Sequence, residues 1–228
     1  MPDQLEELVS EIEKGDVETR RKAGEAMGAL NDPRAVATLT GLLGDSVWRV
    51  RKAAIASLVQ MSSCTEVVSS LVSALQSTDN AGMRNGACEA LVRIGSPAVP
   101  ALCIAAGDPD PDVRKFAADV LGDIGDRGGT GTLVATLKDG DPNVCAAAAE
   151  NLGKIGDPHA VEPLLAVLQT TADLVQYSAV EALGRIGDRR AVPDLLKCLD
   201  HRLLKVPALN ALGCVGDDGL FPAVVPYI

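Results

Sequence analysis

One pattern, Val113 to Asp126, recurs with substitutions along almost the whole chain and limits the fold more than any other feature. Clear copies run from Val144 to Asp157 and from Val175 to Asp188, and looser ones begin at Thr19, Val50, Met83 and Leu204. Marked by the slot that Arg114 fills, the copies fall at Arg20, Arg51, Arg84, Arg114, Cys145, Gln176 and Lys205, with spacings of 31, 33, 30, 31, 31 and 29 residues. A period in this range is the mark of a stacked-repeat solenoid. One copy is shorter than the roughly 40 residues a chain usually needs to fold unaided. Seven copies sharing faces can bury one continuous core. The expectation is therefore a single elongated domain over 1–228, with 1–15 as an N-terminal cap helix and 220–228 as an incomplete terminal repeat.

Each copy reads as two helices. The first is the type running from Ala160 to Leu168 or Ala191 to Leu199, where Val161, Leu164, Leu165 and Leu168 make one apolar stripe. A turn rich in Asp and Pro follows, such as 108–112 or 139–143, whose side chains accept orphan N–H groups and preset the next helical turn. The second helix is the recurring pattern itself, predicted to stop at Gly125, Gly156, Gly187 and Gly216, where glycine takes a left-handed cap at low steric cost. Gly122, Gly153, Gly184 and Gly213 lie inside that helix, where glycine costs about 1 kcal/mol against alanine. Close helix crossing is the expected compensation, and Val59 in the corresponding slot of copy two predicts a local difference. No alternating run suggests a strand.

The two ends differ. Leu5, Leu8, Val9 and Ile12 share one face of the first helix, with Glu6, Glu7, Glu11 and Glu13 opposite. The last eight residues, Phe221 to Ile228, carry almost no polar outer face, which terminal repeats generally need. Either the sequence breaks off inside a repeat or this end pairs with another surface, which makes Val224, Val225, Tyr227 and Ile228 candidates for self-association.

Hydrophobic residues make up 47% but aromatics only 2%, so the core must be built from Leu, Val, Ile and Ala. A formal charge of -10 opposes a phosphate backbone, and no basic stripe offsets it, which argues against nucleic acid as a partner. Six cysteines without a C-x-x-C pair suit a reducing compartment. With no leader pattern and no apolar run approaching 18 residues, the expectation is a cytoplasmic protein without a membrane partner.

The string D-P-D-V-R-K-x-A-A-x-x-L-G-x-I-G-D, followed by A-V-x-P-L-L, resembles the short HEAT-like repeats first associated with phycobilin lyase subunits, over roughly 17–228. The resemblance implies an all-α fold: a right-handed α-solenoid of about seven two-helix HEAT-like repeats, first helices convex and second helices concave. It implies that the arginine slot pairs with turn aspartates, Arg51 with Asp45 and Arg114 with Asp108 or Asp110. It is weak on function, because that class includes lyase subunits, metal hydroxylases and free-standing scaffolds. Deoxyhypusine hydroxylase, of similar repeat type, carries His-Glu pairs where this chain has Gly24-Glu25, Cys88-Glu89, Ala149-Glu150 and Val180-Glu181. The glutamates match and every histidine is missing, so the iron-ligating set is gone and no metal is expected.

The glutamates have a simpler use. Glu89–Arg93, Glu150–Lys154 and Glu181–Arg185 are i, i+4 pairs in the favourable order, worth about 0.2–0.5 kcal/mol each. His159 and His201 fall in loops and read as solvated. Cys88, Cys145 and Cys198 read as packing residues, Cys214 as the cysteine on the open face. No nucleophile–base set assembles from these, so neither a catalytic residue nor a cofactor is expected.

The slots two, six and ten residues after the start of each second helix share a face. They read Arg21, Glu25, Ala29; Lys52, Ala56, Gln60; Asn85, Glu89, Arg93; Lys115, Asp119, Asp123; Ala146, Glu150, Lys154; Tyr177, Glu181, Arg185; Val206, Asn210, Cys214. Core slots stay apolar while these vary. The expected activity is thus a non-catalytic interaction scaffold that binds a protein or peptide on its concave face. Trp48, Lys52, Arg93, Lys115, Tyr177, Glu181 and Arg185 are the candidate contacts, since Trp, Tyr and Arg dominate binding hot spots. Arg21, Lys52 and Lys115 suggest an acidic peptide along the earlier copies. The alternative is a phycobilin-lyase-like subunit holding a chromophore or its acceptor protein.

Overall fold

Short polar side chains start the helices. In the computed structural model, which describes residues 3–77, 79–169, 172–216 and 221–227, carboxylates accept backbone N–H groups just inside a helix start. Asp16 takes Thr19 N–H at 2.8 Å, Asp110 takes Asp112 N–H at 2.9 Å and Asp141 takes Asn143 N–H at 2.7 Å. Pro111 and Pro142 occupy the first turn, where a missing N–H costs nothing.

The helices fall into two compact units, Met1–Ala105 and Ala106–Ile228. The first contains α1 (Gln4–Lys14), α2 (Val17–Leu30), α3 (Val36–Leu42), α4 (Trp48–Gln60), α5 (Thr65–Ala74), α6 (Ala81–Ile94) and α7 (Val99–Ala105). The second contains α8 (Pro111–Ile124), α9 (Thr130–Thr136), α10 (Pro142–Ile155), α11 (Val161–Val167), α12 (Asp173–Ile186), α13 (Val192–Cys198), α14 (Lys205–Val215) and the short α15 (Phe221–Val224). Among the described residues there is no strand. The architecture is an all-α solenoid of stacked helix pairs. Second helices stack on second helices: α2 on α4 and α4 on α6 in the first unit, α8 on α10, α10 on α12 and α12 on α14 in the second.

Most copies turn as expected. α8 ends on Gly125 at φ 72 and α10 on Gly156 at φ 69, after which a three-residue 3-10 turn leads into the next short helix. The first copy ends on Asn31 at φ 53, and the second on Met61, which is buried and not left-handed. α1 lies against α2 with Leu5 buried, Leu8, Val9 and Ile12 half-buried and its four glutamates exposed. The cores are aliphatic, with Leu39, Leu58, Leu71 and Leu91 fully buried in one unit and Leu121, Leu133, Leu152 and Leu183 in the other. Met27 and Met61 join them, an addition to the expected Leu, Val, Ile and Ala set.

The helix-interior glycines are contact points. A Cβ on Gly153 would sit 2.7 Å from the Cα of Ala182, and one on Gly184 would sit 2.7 Å from the Cα of Ala211. Gly122 meets Asn151, and Gly28, outside the expected set, meets Ser57. Each glycine therefore receives a side chain or backbone from the following second helix. Gly213 departs from expectation: nothing lies within 4 Å of its Cβ position, because no described second helix packs on that side of α14.

Candidate interaction surface

The arginine slot supports the stack, and its carboxylate partner is not the one the resemblance implied. Arg114 Nε and Nη2 donate to the Asp139 carboxylate at 2.7 and 2.8 Å, in the turn of the following copy. Arg20 pairs with Asp45 in the same way at 2.8 and 3.2 Å. Toward its own turn the guanidinium meets backbone carbonyls: Arg114 to Asp108 O at 2.9 Å, Arg51 to Asp45 O at 2.7 Å. Arg20 and Arg114 thus each bridge two consecutive turns, and in the Arg114 turn the carboxylates of Asp108 and Asp110 already accept backbone N–H groups. The Arg114 guanidinium holds the Asp139 carboxyl below the usual carboxylate range. Cys145, standing in the same slot, places its thiol 3.1 Å from Asp139 O, a weaker version of the same contact.

The open face of the second helices is largely where the spacing puts it. Every slot of that face is exposed or half-buried except Ala146, which is buried. Trp48 is 58% exposed and has the Arg49 guanidinium 5.9 Å from its ring centroid. It stands at the rim of a groove of about 180 Å³ lined by Arg51, Lys52 and Ile55 of α4 and by Asn85, Gly86 and Glu89 of α6. Lys52 Nζ crosses from α4 to Glu89 Oε1 at 2.9 Å, and Arg93 approaches the same oxygen at 4.0 Å. Trp48 and Lys52 thus line one groove in the first unit, and Arg93 approaches it through Glu89.

In the second unit Lys115 is half-buried and bound to Asp119 at 2.8 Å. Tyr177, Glu181 and Arg185 share one face of α12, where the Glu181 charge and hydrogen bond push the Tyr177 phenol up. The stem of Arg185 lies over Gly153 on α10.

Two charge expectations need correction. Of the expected i, i+4 pairs, Glu89–Arg93 at 4.0 Å and Glu150–Lys154 at 3.8 Å are looser than the contacts between helices, where Lys154 reaches Asp123 on α8 at 2.8 Å. Glu181 and Arg185 form no ion pair among the described residues, and Glu181 serves Tyr177 instead. Neighbouring second helices simply bring some opposite charges closer than one turn of the same helix does. The basic trio also offers no open positive stripe: Arg21 is held by Glu18 and Glu25 and Lys115 by Asp119 within their own helices, and Lys52 by Glu89 on the next.

Sequence reasoning missed three features. Asn151 is fully buried, donating to Asp119 Oδ1 at 2.9 Å and Ala147 O at 2.8 Å, with its own oxygen turned to Gly122 and without a partner among the described residues. A cavity of about 310 Å³ opens between α9 and α11, lined by Val134, Leu137, Lys138, Pro163, Ala166 and Val167. Leu174 and Leu203 are exposed beside Tyr177 and Val206. Their signal was available: they occupy the slot two residues before the marker, where other copies place Glu18, Arg49, Asp112 and Asn143.

The reactive side chains are quiet. Burial pushes the Cys145 and Cys198 thiols up, and the Glu66 carboxylate does so for Cys64. His159 is exposed, 2.8 Å from an Asp157 carboxylate whose pKa its own backbone N–H helps to lower. Among the described residues no group of three or more His, Cys, Asp or Glu could hold a metal ion. No single described helix is long and apolar enough to cross a membrane.

Comparison with known proteins agrees with this architecture, that of an all-α protein of stacked two-helix repeats. The family described as HEAT repeats matches at 5–92, 68–132, 99–184 and 130–213, so the chain belongs to the HEAT-repeat family. Among curated proteins none matches by sequence. The complex of CpcE and CpcF of phycocyanin lyase from Nostoc sp. PCC7120 is similar at 23% identity and TM-score 0.59, covering 64% of this chain and 98% of that one. An engineered protein is similar at 24% identity and TM-score 0.50, covering 99% and 72%. Human deoxyhypusine hydroxylase in complex with glycerol aligns at 20% identity with a TM-score of 0.47, covering 94% and 85%. At these identities the likeness is one of fold.

Proposed function

We propose that this HEAT-repeat chain is a non-catalytic scaffold that binds a protein or peptide through the open face of its second helices. One observation carries the reading. The slot just after the marker holds Arg21, Lys52, Asn85, Lys115, Ala146, Tyr177 and Val206 in successive copies, while the marker-plus-seven slot beneath stays small or apolar. A backbone held constant by buried slots can present any side chain at such a position, which is how repeat proteins acquire partners. Trp48, Tyr177 and Arg185 supply anchor chemistry, and Lys52, Arg93, Lys115 and Glu181 the polar surround. Capture from a lysate of the source cells, with wild type beside Trp48→Ala and Tyr177→Ala/Arg185→Glu variants, tests this. A protein retained by wild type and lost from a variant with unchanged helicity supports it. Equal recovery on all three places binding elsewhere and refutes it. The lyase-type alternative draws on shared fold alone, and added bilin is expected to leave its absorbance unchanged in the presence of the chain.

A further inference from the structure

An apolar space is left between two first helices of the second unit. The cavity of about 310 Å³ between α9 and α11 is lined by two stripes of the same i, i+3, i+4 spacing. Val134, Leu137 and Lys138 form one, and Pro163, Ala166 and Val167 the other. Leu137 and Val167 are buried, Val134 and Pro163 half-buried, and Lys138 and Ala166 exposed. The floor is therefore aliphatic and the mouth lies beside an ammonium. Space remains because the residues on α11 are short. The next copy carries Asp194 and Lys197 in the slots of Pro163 and Ala166, and these longer side chains pair with each other at 2.8 Å.

Lys138 carries the one polar group among the six lining side chains, and it forms no ion pair among the described residues. The carboxylates that could answer it are engaged or distant. Asp139, next in sequence, is held by Arg114 and accepts Asp141 N–H at 2.9 Å, while Asp141 caps α10. α9 has no charged residue, and α11 has only Glu162. Glu162 aligns with Gly131 in the repeat, about two turns from Lys138, and its nearest cation is Arg190 at 3.7 Å. Gln169 and Asp200 fill the Lys138 slot in the next two copies, so in this unit the cation there is particular to the cavity. Small-molecule sites have this make-up: an apolar lining with a few placed polar groups.

We propose that the cavity between α9 and α11 binds a small amphiphilic carboxylate, its aliphatic chain against Val134, Leu137, Ala166 and Val167 and its carboxylate on Lys138 Nζ. An apolar cavity of about 150 Å³ is enough for benzene, so about twice that volume accommodates a chain of roughly eight carbons. Burial of the chain supplies most of the affinity and the ammonium selects the head group. The last carbonyls of α9 lie beside Lys138 and take part of its charge, which limits the preference for a carboxylate over a neutral head group to about tenfold. This site is separate from the open face of the second helices and does not rest on the scaffold reading.

The test titrates the intact chain with octanoate, 1-octanol and octylammonium, following the methyl resonances of Val134, Leu137 and Val167 by NMR. Octanoate is expected to bind about tenfold more tightly than octanol, and octylammonium more weakly than either. Lys138→Gln, which brings in the side chain that the next copy carries in this slot, is expected to level octanoate with octanol. Ala166→Phe fills the mouth from an exposed position and is expected to abolish binding of both, with the melting temperature of each variant close to wild type. Equal affinity of octanoate and octanol for wild type would overturn the proposal, as would octanoate binding that survives Ala166→Phe. So would shifts confined to other parts of the chain, or no binding at all. None of these results touches capture that depends on Trp48 or Tyr177, so failure here and failure of the scaffold reading are told apart.

Discussion

The α10–α12 and α4–α6 pairs are built from the same repeat and finish differently. At the first crossing Gly153 lets Ala182 approach so closely that a Cβ would lie 2.7 Å from its Cα, and α10 closes on Gly156 in the left-handed region. In the α4–α6 pair the crossing slot is taken by Val59 and α4 closes on Met61 instead of a left-handed residue. There a groove opens at the other end of the helices, with Trp48 on its rim and the Lys52–Glu89 pair spanning it. One pair spends the repeat's small residues on contact, and the other leaves part of its surface to solvent. Close packing and an open surface are thus alternatives available to a single motif.

The sharpest way to break the comparison is to give the close crossing the side chain of the open one. Gly153→Val is expected to destabilise by roughly 1–3 kcal/mol or more, since backbone and not a flexible side chain stands in the way. Urea denaturation with an unchanged m-value would check it, and a neutral result would mean the helices part freely.

A smaller effect should appear in acid. Asp139 has its pKa lowered by Arg114, so its ionised form stabilises the fold above the ordinary carboxylate range of about 4, and that contribution disappears as pH falls through the depressed value. Asp45 behaves alike: burial alone would raise it, but Arg20 and the Val47 N–H together outweigh burial. Asp139→Asn is expected to lower stability at neutral pH and to flatten its decline below about pH 4. Thermal melts across pH would read both, and parallel curves for mutant and wild type would contradict the bridge.

Gly213→Ala should carry the opposite sign from any Gly153 substitution. With its Cβ position open, alanine is expected to stabilise α14 by about 0.4–1 kcal/mol, measured as a raised melting temperature. Destabilisation would reveal a contact on that side of α14. Least of all, a double-mutant cycle on Lys52 and Glu89 should return a coupling of about 0.2–1 kcal/mol that fades in salt. A larger, salt-resistant coupling would mean that the groove is held shut by this pair.

Much of this was legible from residue order. The copy spacing, the Asp and Pro helix starts, the glycine ends at Gly125 and Gly156 and the open face through Tyr177, Glu181 and Arg185 all depend on contacts within a few residues. Such contacts repeat with the motif and can be read from one copy. Six of the seven candidate contact residues follow from that spacing and Trp48 from its side-chain chemistry, and all seven lie at least partly in solvent.

What lies between copies was not legible. Arg114 reaching Asp139 instead of its own turn, Lys154 preferring Asp123 to Glu150, and Asn151 buried against Gly122 depend on how closely two helices approach. So does the different standing of Gly153 and Gly213, which share a slot in the repeat. Residue order by itself determined the repeat, its helix boundaries and the face it leaves open, because hydrogen bonds and periodicity along the chain are local. Only the tertiary structure decided which charges were already satisfied and which interior glycines carry a crossing, because those outcomes turn on distances across helix crossings of a few ångströms.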